Sequence, residues 1–250
     1  MTEHILIERD GAVQVIRINR PDKKNALTRA MYAAMAEALT EGDADPAIRA
    51  HVLLGVPGIF SAGNDLQDFM VIATGGAGGN EVWDFLMALA NAQKPLVSGV
   101  DGIAVGIGTT LNLHCDLTFA TPRTVFRTPF VDLGLVPEAG SSLLVPAVVG
   151  HQQAFALLGL GEGFSAEKAL ACGLIYALVG EDDLENAVLD AARLIASKPP
   201  EALKIARDLM LGPRQSLLAR IREEGERFRE RLQSDEARAA LMAFMTRKKG

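Results

Sequence analysis

The chain has 250 residues, of which 49% are hydrophobic and 22% are charged, and this composition allows a substantial core and excludes a largely disordered protein. The net charge of −6 at pH 7 argues against a nucleic-acid partner held by bulk electrostatics. Cys115 and Cys172 are too few for a disulfide framework, and residues 1–4 show no secretion signal. No apolar run reaches about 18 residues, so we expect no membrane partner and a cytoplasmic location.

Turn signals and apolar runs predict an α/β chain. Asp10-Gly11 between two apolar segments predicts a β-hairpin over residues 5–18, and Thr28 is the predicted N-cap of the first helix. Short continuous apolar runs predict buried strands, whereas periodic segments predict helices. The predicted strands are residues 50–56, 95–100 and 116–120, and the predicted helices are residues 28–39, 80–92, 108–114 and 141–149. This alternation favours an α/β core that contains parallel sheet.

The chain changes character after residue 197. Pro199-Pro200 predicts the start of a helix, Gly212-Pro213 interrupts it, and residues 214–249 are charged and mostly helical in pattern. Apolar residues there are sparse but periodic, so we expect this region to pack on something else, with a subunit interface as the natural candidate. The Gly-rich segment 74–79 lacks the Lys-Ser/Thr of a phosphate-binding loop, which predicts a mobile loop beside a pocket.

Two glycine-containing turns have the pattern of an oxyanion hole, a pair of N–H groups that stabilises a negative oxygen. In residues 60–66 (FSAGNDL) and 102–108 (GIAVGIG), glycines stand where an apolar strand changes to a helical pattern. Backbone N–H groups at such turns point outward at the positive end of a helix. Glu138 is a lone carboxylate among apolar neighbours before another predicted helix. Two N–H donors and one carboxylic base indicate proton chemistry next to a carbonyl.

Some of these polar residues also have ordinary structural explanations. Glu138 is equally explained, on the residues alone, as a carboxylate that favours the dipole of the helix after it. Asp65 is expected to cap the helix that follows Gly63. The four histidines have no ligand-like spacing, which predicts surface or core packing for each of them.

With these motifs the chain resembles the crotonase (enoyl-CoA hydratase/isomerase) superfamily over nearly its whole length. The matching segments are residues 20–27 (RPDKKNAL), 60–66, 94–97 (KPLV), 101–108, 115–116, 129, 133–134 and 164–169 (FSAEKA). The resemblance implies an α/β fold, a crotonase-like spiral of ββα turns over residues 1–196 followed by a helical trimerisation region over residues 197–250. It also implies an acyl-CoA thioester substrate and a homotrimer or a hexamer made of two trimers.

The same resemblance assigns site residues. The backbone N–H groups of Asn64 and Ile107 would form the oxyanion hole, with Glu138 as the catalytic base. The residues implied in binding the substrate and its CoA are Lys24, Ala26, Leu27, Ala62, Asp65, Leu66, Gly106, Phe130 and Leu133. Phe244, Arg247 and Lys248 resemble residues that reach the CoA of a neighbouring subunit, the alternative being a solvated basic end. No metal or redox cofactor is implied, because CoA arrives as part of the substrate.

Departures from the hydratases point to one branch of the superfamily. Hydratases carry glutamates at the positions of Thr110 and Phe130, and neither residue is acidic here. Glu138, with Pro137 before it and two serines after it, resembles the Δ3,Δ2-enoyl-CoA isomerases instead. The resemblance therefore predicts that the double bond of a 3-enoyl-CoA shifts to give the trans-2-enoyl-CoA through a dienolate, in fatty acid metabolism. An enoyl-CoA hydratase and a catalytically silent acyl-CoA-binding paralogue are the alternatives.

Overall fold

The computed structural model describes residues 2–73 and 79–247, so the Gly-rich segment lies outside the described residues over 74–78. The strands are β1 (Ile5–Asp10), β2 (Val13–Ile18), β3 (Ala50–Leu54), β4 (Ile59–Ser61), β5 (Leu96–Val100), β6 (Ile103–Val105), β7 (Leu117–Ala120), β8 (Val125–Arg127), β9 (Phe164–Ser165) and β10 (Ala177–Leu178). The α-helices are α1 (Arg29–Ala44), α2 (Leu66–Ala73), α3 (Glu81–Asn91), α4 (Ile107–Thr110), α5 (Ser141–Val149), α6 (His151–Ala154), α7 (Ala166–Ala171), α8 (Leu184–Ala196), α9 (Pro200–Leu211), α10 (Arg214–Leu232) and α11 (Asp235–Arg247).

Two sheets organise these elements. The larger has the order β1-β2-β3-β5-β7-β10, in which β1 and β2 are antiparallel and the other neighbours are parallel. The smaller has the order β4-β6-β8-β9, in which β4, β6 and β8 are parallel. The predicted hairpin is confirmed, because Asp10 pairs with Val13 across a turn in which Gly11 has a φ of 58°.

The central strands of the larger sheet are buried on both faces, as the continuous apolar runs predicted. One face packs against α8, where Val52 and Val97 meet Val188. The other face belongs to the main core, which includes Ile16 and Leu53 and is covered by residues of α1 and α3. All five residues of β3 and all five of β5 are buried.

The predicted elements agree with the structure in type and differ at their ends. The prediction of residues 141–149 matches α5, and Thr28 caps α1 by accepting a hydrogen bond from the Met31 amide. The helix predicted over residues 108–114 begins one residue earlier, at Ile107, and its second half is a 3-10 turn, Leu111–His114. The smaller sheet was not predicted, because three-residue strands such as β4 and β6 are too short to show a pattern.

The C-terminal helices pack on the core of their own chain. Ile221 and Leu232 of α10 and Leu241 of α11 are buried in the main core cluster. In α9, Arg207 is buried and its Nε donates a 2.8 Å hydrogen bond to the Asp116 carboxylate. Some of the apolar residues of this region are thus buried within one chain, without a second subunit. The boundary between a core over residues 1–196 and a trimerisation region over residues 197–250 stays a prediction. Within the described ranges, the helices are too short or too polar for any of them to cross a bilayer.

Candidate active site

The two glycine-containing turns lie side by side at one edge of the smaller sheet. Strands β4 and β6 are parallel neighbours, so the turns that follow them leave the sheet at the same end. A Cβ atom on Gly63 would lie 2.8 Å from the carbonyl oxygen of Val105, and one on Gly108 would lie 2.8 Å from that of Ser61. Glycine at both positions therefore allows the two turns to touch.

Each turn presents a backbone amide. Gly106 has a φ of 56°, a left-handed value that glycine adopts readily, and it directs the chain into α4. Ile107 is the first residue of α4, so its N–H has no acceptor inside the helix. Asn64 forms an isolated bridge with Leu27, in which the Leu27 amide donates to the Gly63 carbonyl and the Asp65 amide donates to the Leu27 carbonyl. Across the described part of the chain, neither Asn64 nor Ile107 donates its amide to another residue.

Glu138 lies buried next to α4. It is 7% exposed, and its Oε1 accepts a 2.5 Å hydrogen bond from the Thr110 hydroxyl. Thr110 comes three residues after Ile107, so the residue that bonds the carboxyl lies about one turn of helix after the residue that carries that amide. Burial raises the pKa of Glu138 to about 8; the Thr110 hydrogen bond opposes this rise and the charge of Glu224 adds to it. The carboxyl therefore has the basicity of a group that exchanges protons near neutral pH.

The backbone after Glu138 is bent into an unusual shape. Ala139 has a φ of 60° and Gly140 a φ of 73°, so two consecutive residues are left-handed, and for alanine this conformation is strained. The buried His114 holds the bend by donating a 2.8 Å hydrogen bond from Nε2 to the carbonyl oxygen of Ala139. Burial lowers the pKa of His114, which favours the neutral ring. The sequence predicted only a packing role for this histidine, and the structure shows that His114 supports the turn that follows Glu138.

Tyr32 connects α1 to the first turn. Its hydroxyl donates a 2.5 Å hydrogen bond to the Asn64 side-chain oxygen. Its ring packs against that of Phe85, with 5.4 Å between the ring centroids. Burial raises the pKa of Tyr32 well above 10, and the charge of Glu138 raises it further. The phenol therefore stays protonated and holds the Asn64 side chain in place.

Next to these residues is a cavity of about 350 Å³. Its wall comes from both turns, the segment after β2, the segment after β8 and the last two helices. The lining residues are Asp22, Lys23, Lys24, Ala26, Ala62, Gly63, Asn64, Asp65, Leu66, Val105, Gly106, Pro129, Phe130, Leu133, Leu135, Phe228 and Phe244. Most of the residues predicted to bind the substrate are thus brought together at the cavity, whereas Leu27, Ile107 and Glu138 are buried and are not among its lining residues.

The polar rim of the cavity is held by ion pairs and caps. Asp65 accepts a 2.7 Å hydrogen bond from Arg20 and a 2.9 Å bond from the Gln67 amide at the start of α2, so its expected capping role is confirmed. Asn25 is fully buried, and its side chain bonds the backbone of β2 and β4. These contacts fix the segment that carries Lys24 against the first turn.

The three C-terminal candidates differ in their placement. Phe244 lines the cavity of its own chain, Arg247 is the last residue of α11, and Lys248 lies outside the described residues. In the part of the chain that the structure covers, no group of three or more His, Cys, Asp or Glu side chains is placed to hold a metal ion.

Glu224 is a site residue that the sequence analysis missed. Its carboxylate, on α10, accepts hydrogen bonds from the amides of Gly140 at 2.6 Å and Ser142 at 2.9 Å, at the start of α5. The signal was present, since residues 217, 221, 224 and 228 share the spacing of one apolar helix face and only residue 224 is charged. The surrounding residues 222–227 (REEGER) have the composition of a solvent-exposed helix, so the buried position of Glu224 was not recognised. Tyr32 was missed because it looks like an ordinary core residue.

Known proteins resemble this chain in sequence and in fold. The enoyl-CoA hydratase/isomerase family matches residues 8–250. The chain belongs to this family, the crotonase superfamily. The expected crotonase-like α/β fold with a C-terminal helical region is confirmed, because the structure of Pseudomonas aeruginosa OdaA is similar with a TM-score of 0.93 and 44% identity, over 98% of this chain and 99% of that one.

Named relatives include isomerases. The chain is 35% identical over 254 residues to enoyl-CoA delta isomerase 2 of Rattus norvegicus. The matched region covers 98% of this chain and 64% of the rat protein, so the chain spans less than two thirds of that protein's length. It is 36% identical over 205 residues to 1,2-epoxyphenylacetyl-CoA isomerase of Escherichia coli, covering 80% of this chain and 78% of that protein. Relatives named as hydratases match at 31% and 34% identity. The comparisons therefore support an enzyme of the crotonase family but do not distinguish an isomerase from a hydratase.

We expect Glu138 to make the stability of this crotonase depend on pH. Its pKa of about 8 in the folded chain lies above the ordinary value of 4.5 that applies when the chain unfolds. Between these values the folded chain holds a proton that the unfolded chain has released, so the free energy of unfolding falls as pH rises toward about 8. Glu138→Gln lacks this contribution, and its melting temperature should exceed that of the wild type by several degrees at about pH 9 but not at about pH 5.

Thermal unfolding followed by circular dichroism at both pH values measures this difference. Glu223→Gln is the matched control, because this neighbouring carboxylate on α10 has a side chain that is 65% exposed. It should follow the wild type at each pH. Parallel pH dependence in the wild type and Glu138→Gln would contradict a buried, protonated Glu138.

Proposed function

We propose that the chain is a Δ3,Δ2-enoyl-CoA isomerase of fatty acid metabolism, which converts a 3-enoyl-CoA to the trans-2-enoyl-CoA. The observation that carries this proposal is the buried Glu138 carboxyl, with a pKa raised to about 8, which is hydrogen-bonded to Thr110 in the same helix whose first amide is that of Ile107. A single base of this strength beside an oxyanion hole suits a reaction that takes up and returns one proton.

In the proposed reaction the amides of Asn64 and Ile107 donate hydrogen bonds to the thioester oxygen. Glu138 removes a proton from C2, and the C2–H electron pair moves into a dienolate whose negative charge rests on that oxygen. The protonated Glu138 then gives the same proton to C4. The C3–C4 double bond is lost, the C2–C3 double bond forms and the thioester carbonyl is restored. Atoms and charge balance without a metal or redox cofactor, and CoA is part of the substrate.

Burial of Glu138 serves both halves of this cycle. An ordinary glutamate with a pKa near 4.5 is a weak base toward a thioester α-carbon, and desolvation strengthens it. Once protonated, a group that is 7% exposed has little contact with water, which favours delivery of its proton to C4. Phe130 and Leu135, both nearly buried, add apolar surface to the cavity wall nearby.

The positions of the two hydratase glutamates support isomerisation over hydration. The Thr110 hydroxyl bonds Glu138, and Phe130 presents an aromatic ring to the cavity, so neither holds a water for addition. Asp132, the acidic residue nearest to Phe130 in the sequence, is half exposed and forms an ion pair with Arg127 at 3.3 Å. The hydratase alternative would require Glu138 to work alone, and it is favoured by the hydratase names among the relatives.

We also propose where the CoA phosphates bind and that the chain forms an oligomer. Lys23 and Lys24 at the cavity rim supply positive charge for the CoA phosphates. A homotrimer, or a hexamer of two trimers, is supported by the apolar face of α9, where Leu209 is 79% exposed and Met210 is 78% exposed.

Glu138→Gln should keep acyl-CoA binding and lose isomerase turnover by about 10²–10⁴-fold, because an amide cannot accept the C2 proton. The gain of conjugated thioester absorbance from a 3-enoyl-CoA measures turnover, and calorimetry with a saturated acyl-CoA measures binding. In the wild type, kcat/KM should rise with pH and level off above about 8, since the ionised carboxylate is the base.

The same assay with a 2-enoyl-CoA separates the alternatives. An isomerase gains absorbance from the 3-enoyl-CoA faster than it removes absorbance from the 2-enoyl-CoA, and a hydratase does the opposite. Tight binding without turnover of either substrate would favour the silent paralogue. Full activity of Glu138→Gln would assign the base to another group.

Ile107→Pro should slow turnover by about 10²–10³-fold, because proline removes one of the two oxyanion donors. The first position of a helix tolerates proline, so α4 should still form. Ile107→Val is the matched control, since it keeps the N–H and shortens the buried side chain. Steady-state kinetics and melting temperatures of both variants make the comparison. If proline slows the reaction no more than valine does, the Ile107 amide is not a donor.

A further inference from the structure

Glu224 reaches the Glu138 turn from the C-terminal region of the chain. It is 6% exposed, and its two carboxylate oxygens accept hydrogen bonds from the amides of Gly140 and Ser142. These amides lie two and four residues after Glu138. A side chain 86 residues further along the chain therefore holds the backbone that carries the proposed base.

The start of α5 needs such a partner. Gly140 is the N-cap residue, and glycine has no side chain to accept hydrogen bonds from the first amides of the helix. The Glu224 carboxylate takes that role and meets the positive end of the helix dipole. The two helices are also in close contact, because a Cβ atom on Gly140 would lie 2.4 Å from Leu217 and 3.3 Å from Ile221 of α10.

We propose that Glu224 is a positioning residue that fixes the orientation of Glu138 and, by its negative charge, keeps Glu138 a strong base. The effect on catalysis rests on the proposed isomerase function, whereas the effect on the Glu138 carboxyl does not. The turn between them has little freedom to absorb a change, because Ala139 and Gly140 are left-handed and His114 bonds the Ala139 carbonyl. Displacement of the Glu224 carboxylate would therefore move Glu138 directly.

The coupling between the two carboxyls also depends on the charged groups of the elements packed around them. Helices α4 and α5 carry no charged residue, and the neighbouring groups from other elements, Tyr32 and His114, are neutral. On α10, Arg220 donates to the Ser142 hydroxyl at 3.1 Å and pairs with Glu223 at 3.3 Å. The remaining acidic and basic residues on the helices packed against α10 are Asp68 of α2, Glu81 and Asp84 of α3, and Asp235, Glu236, Arg238 and Arg247 of α11. Glu81 is paired with Arg29 and Glu236 with Arg231.

Glu224→Gln is the direct test, because it removes the charge and keeps the length of the side chain and one acceptor oxygen. We expect the midpoint of the pH profile of kcat/KM to move to lower pH. The limiting rate at high pH should fall by about three- to ten-fold, because a less basic Glu138 removes the C2 proton more slowly. Glu223→Gln, which removes a charge from the adjacent exposed position, should leave both quantities unchanged.

A second variant separates position from charge. Glu224→Asp keeps the charge but shortens the reach to the two amides. We expect a lower limiting rate with a midpoint near that of the wild type. Melting temperatures of all three variants show which of them fold. If Glu224→Gln does not fold, the rate and midpoint of Glu224→Asp still test the inference, since a rate and midpoint equal to those of the wild type would overturn it.

A titration of Glu138 itself keeps this inference apart from the proposed function. Carbon-13 NMR of the glutamate side-chain carboxyls, with the Glu138 signal assigned by its loss in Glu138→Gln, follows ionisation in the unliganded protein. The inference predicts that Glu138 ionises at lower pH in Glu224→Gln than in the wild type. Identical titration in the two proteins would overturn it, even if the wild type is an isomerase. A shifted titration in a protein without isomerase activity would support the coupling and refute the function.

Discussion

The hydrogen bond from Thr110 to Glu138 joins the two parts of the site. It ties a strained turn before α5 to the helix whose first amide is a proposed oxyanion donor. A buried carboxyl without a partner would be costly, and one with several donors would be too weak a base. One hydroxyl donor in an apolar setting leaves the pKa of Glu138 at about 8, between these extremes. The proposed chemistry depends on that balance.

The C-terminal helices contribute to the site as well as to the core. Helix α10 buries Ile221 and Leu232, places Phe228 on the cavity wall and brings Glu224 to the Glu138 turn. A region that the sequence presents as a charged appendage thus lines the candidate cavity and contacts the turn that carries Glu138. This link between the C-terminal helices and the Glu138 turn is made within one chain.

Much of this architecture could be predicted from local signals. Asp10-Gly11 predicted the hairpin, Thr28 predicted the cap of α1, and the glycines at 63 and 106 predicted turns that the structure places side by side. The smaller sheet was missed because its strands have two or three residues. Tyr32 and Glu224 were missed because their roles come from contacts 32 and 84 residues away along the chain, which no local pattern records.

The most direct test of the central claim follows the proton. A 3-enoyl-CoA deuterated at C2 is converted in ordinary water, and the product is analysed for deuterium at C4 by mass spectrometry and NMR early in the reaction. If the single buried Glu138 carboxyl moves the proton, a substantial part of the product carries deuterium at C4. If every C4 hydrogen comes from water, one shielded carboxyl does not perform both transfers, and the account is contradicted.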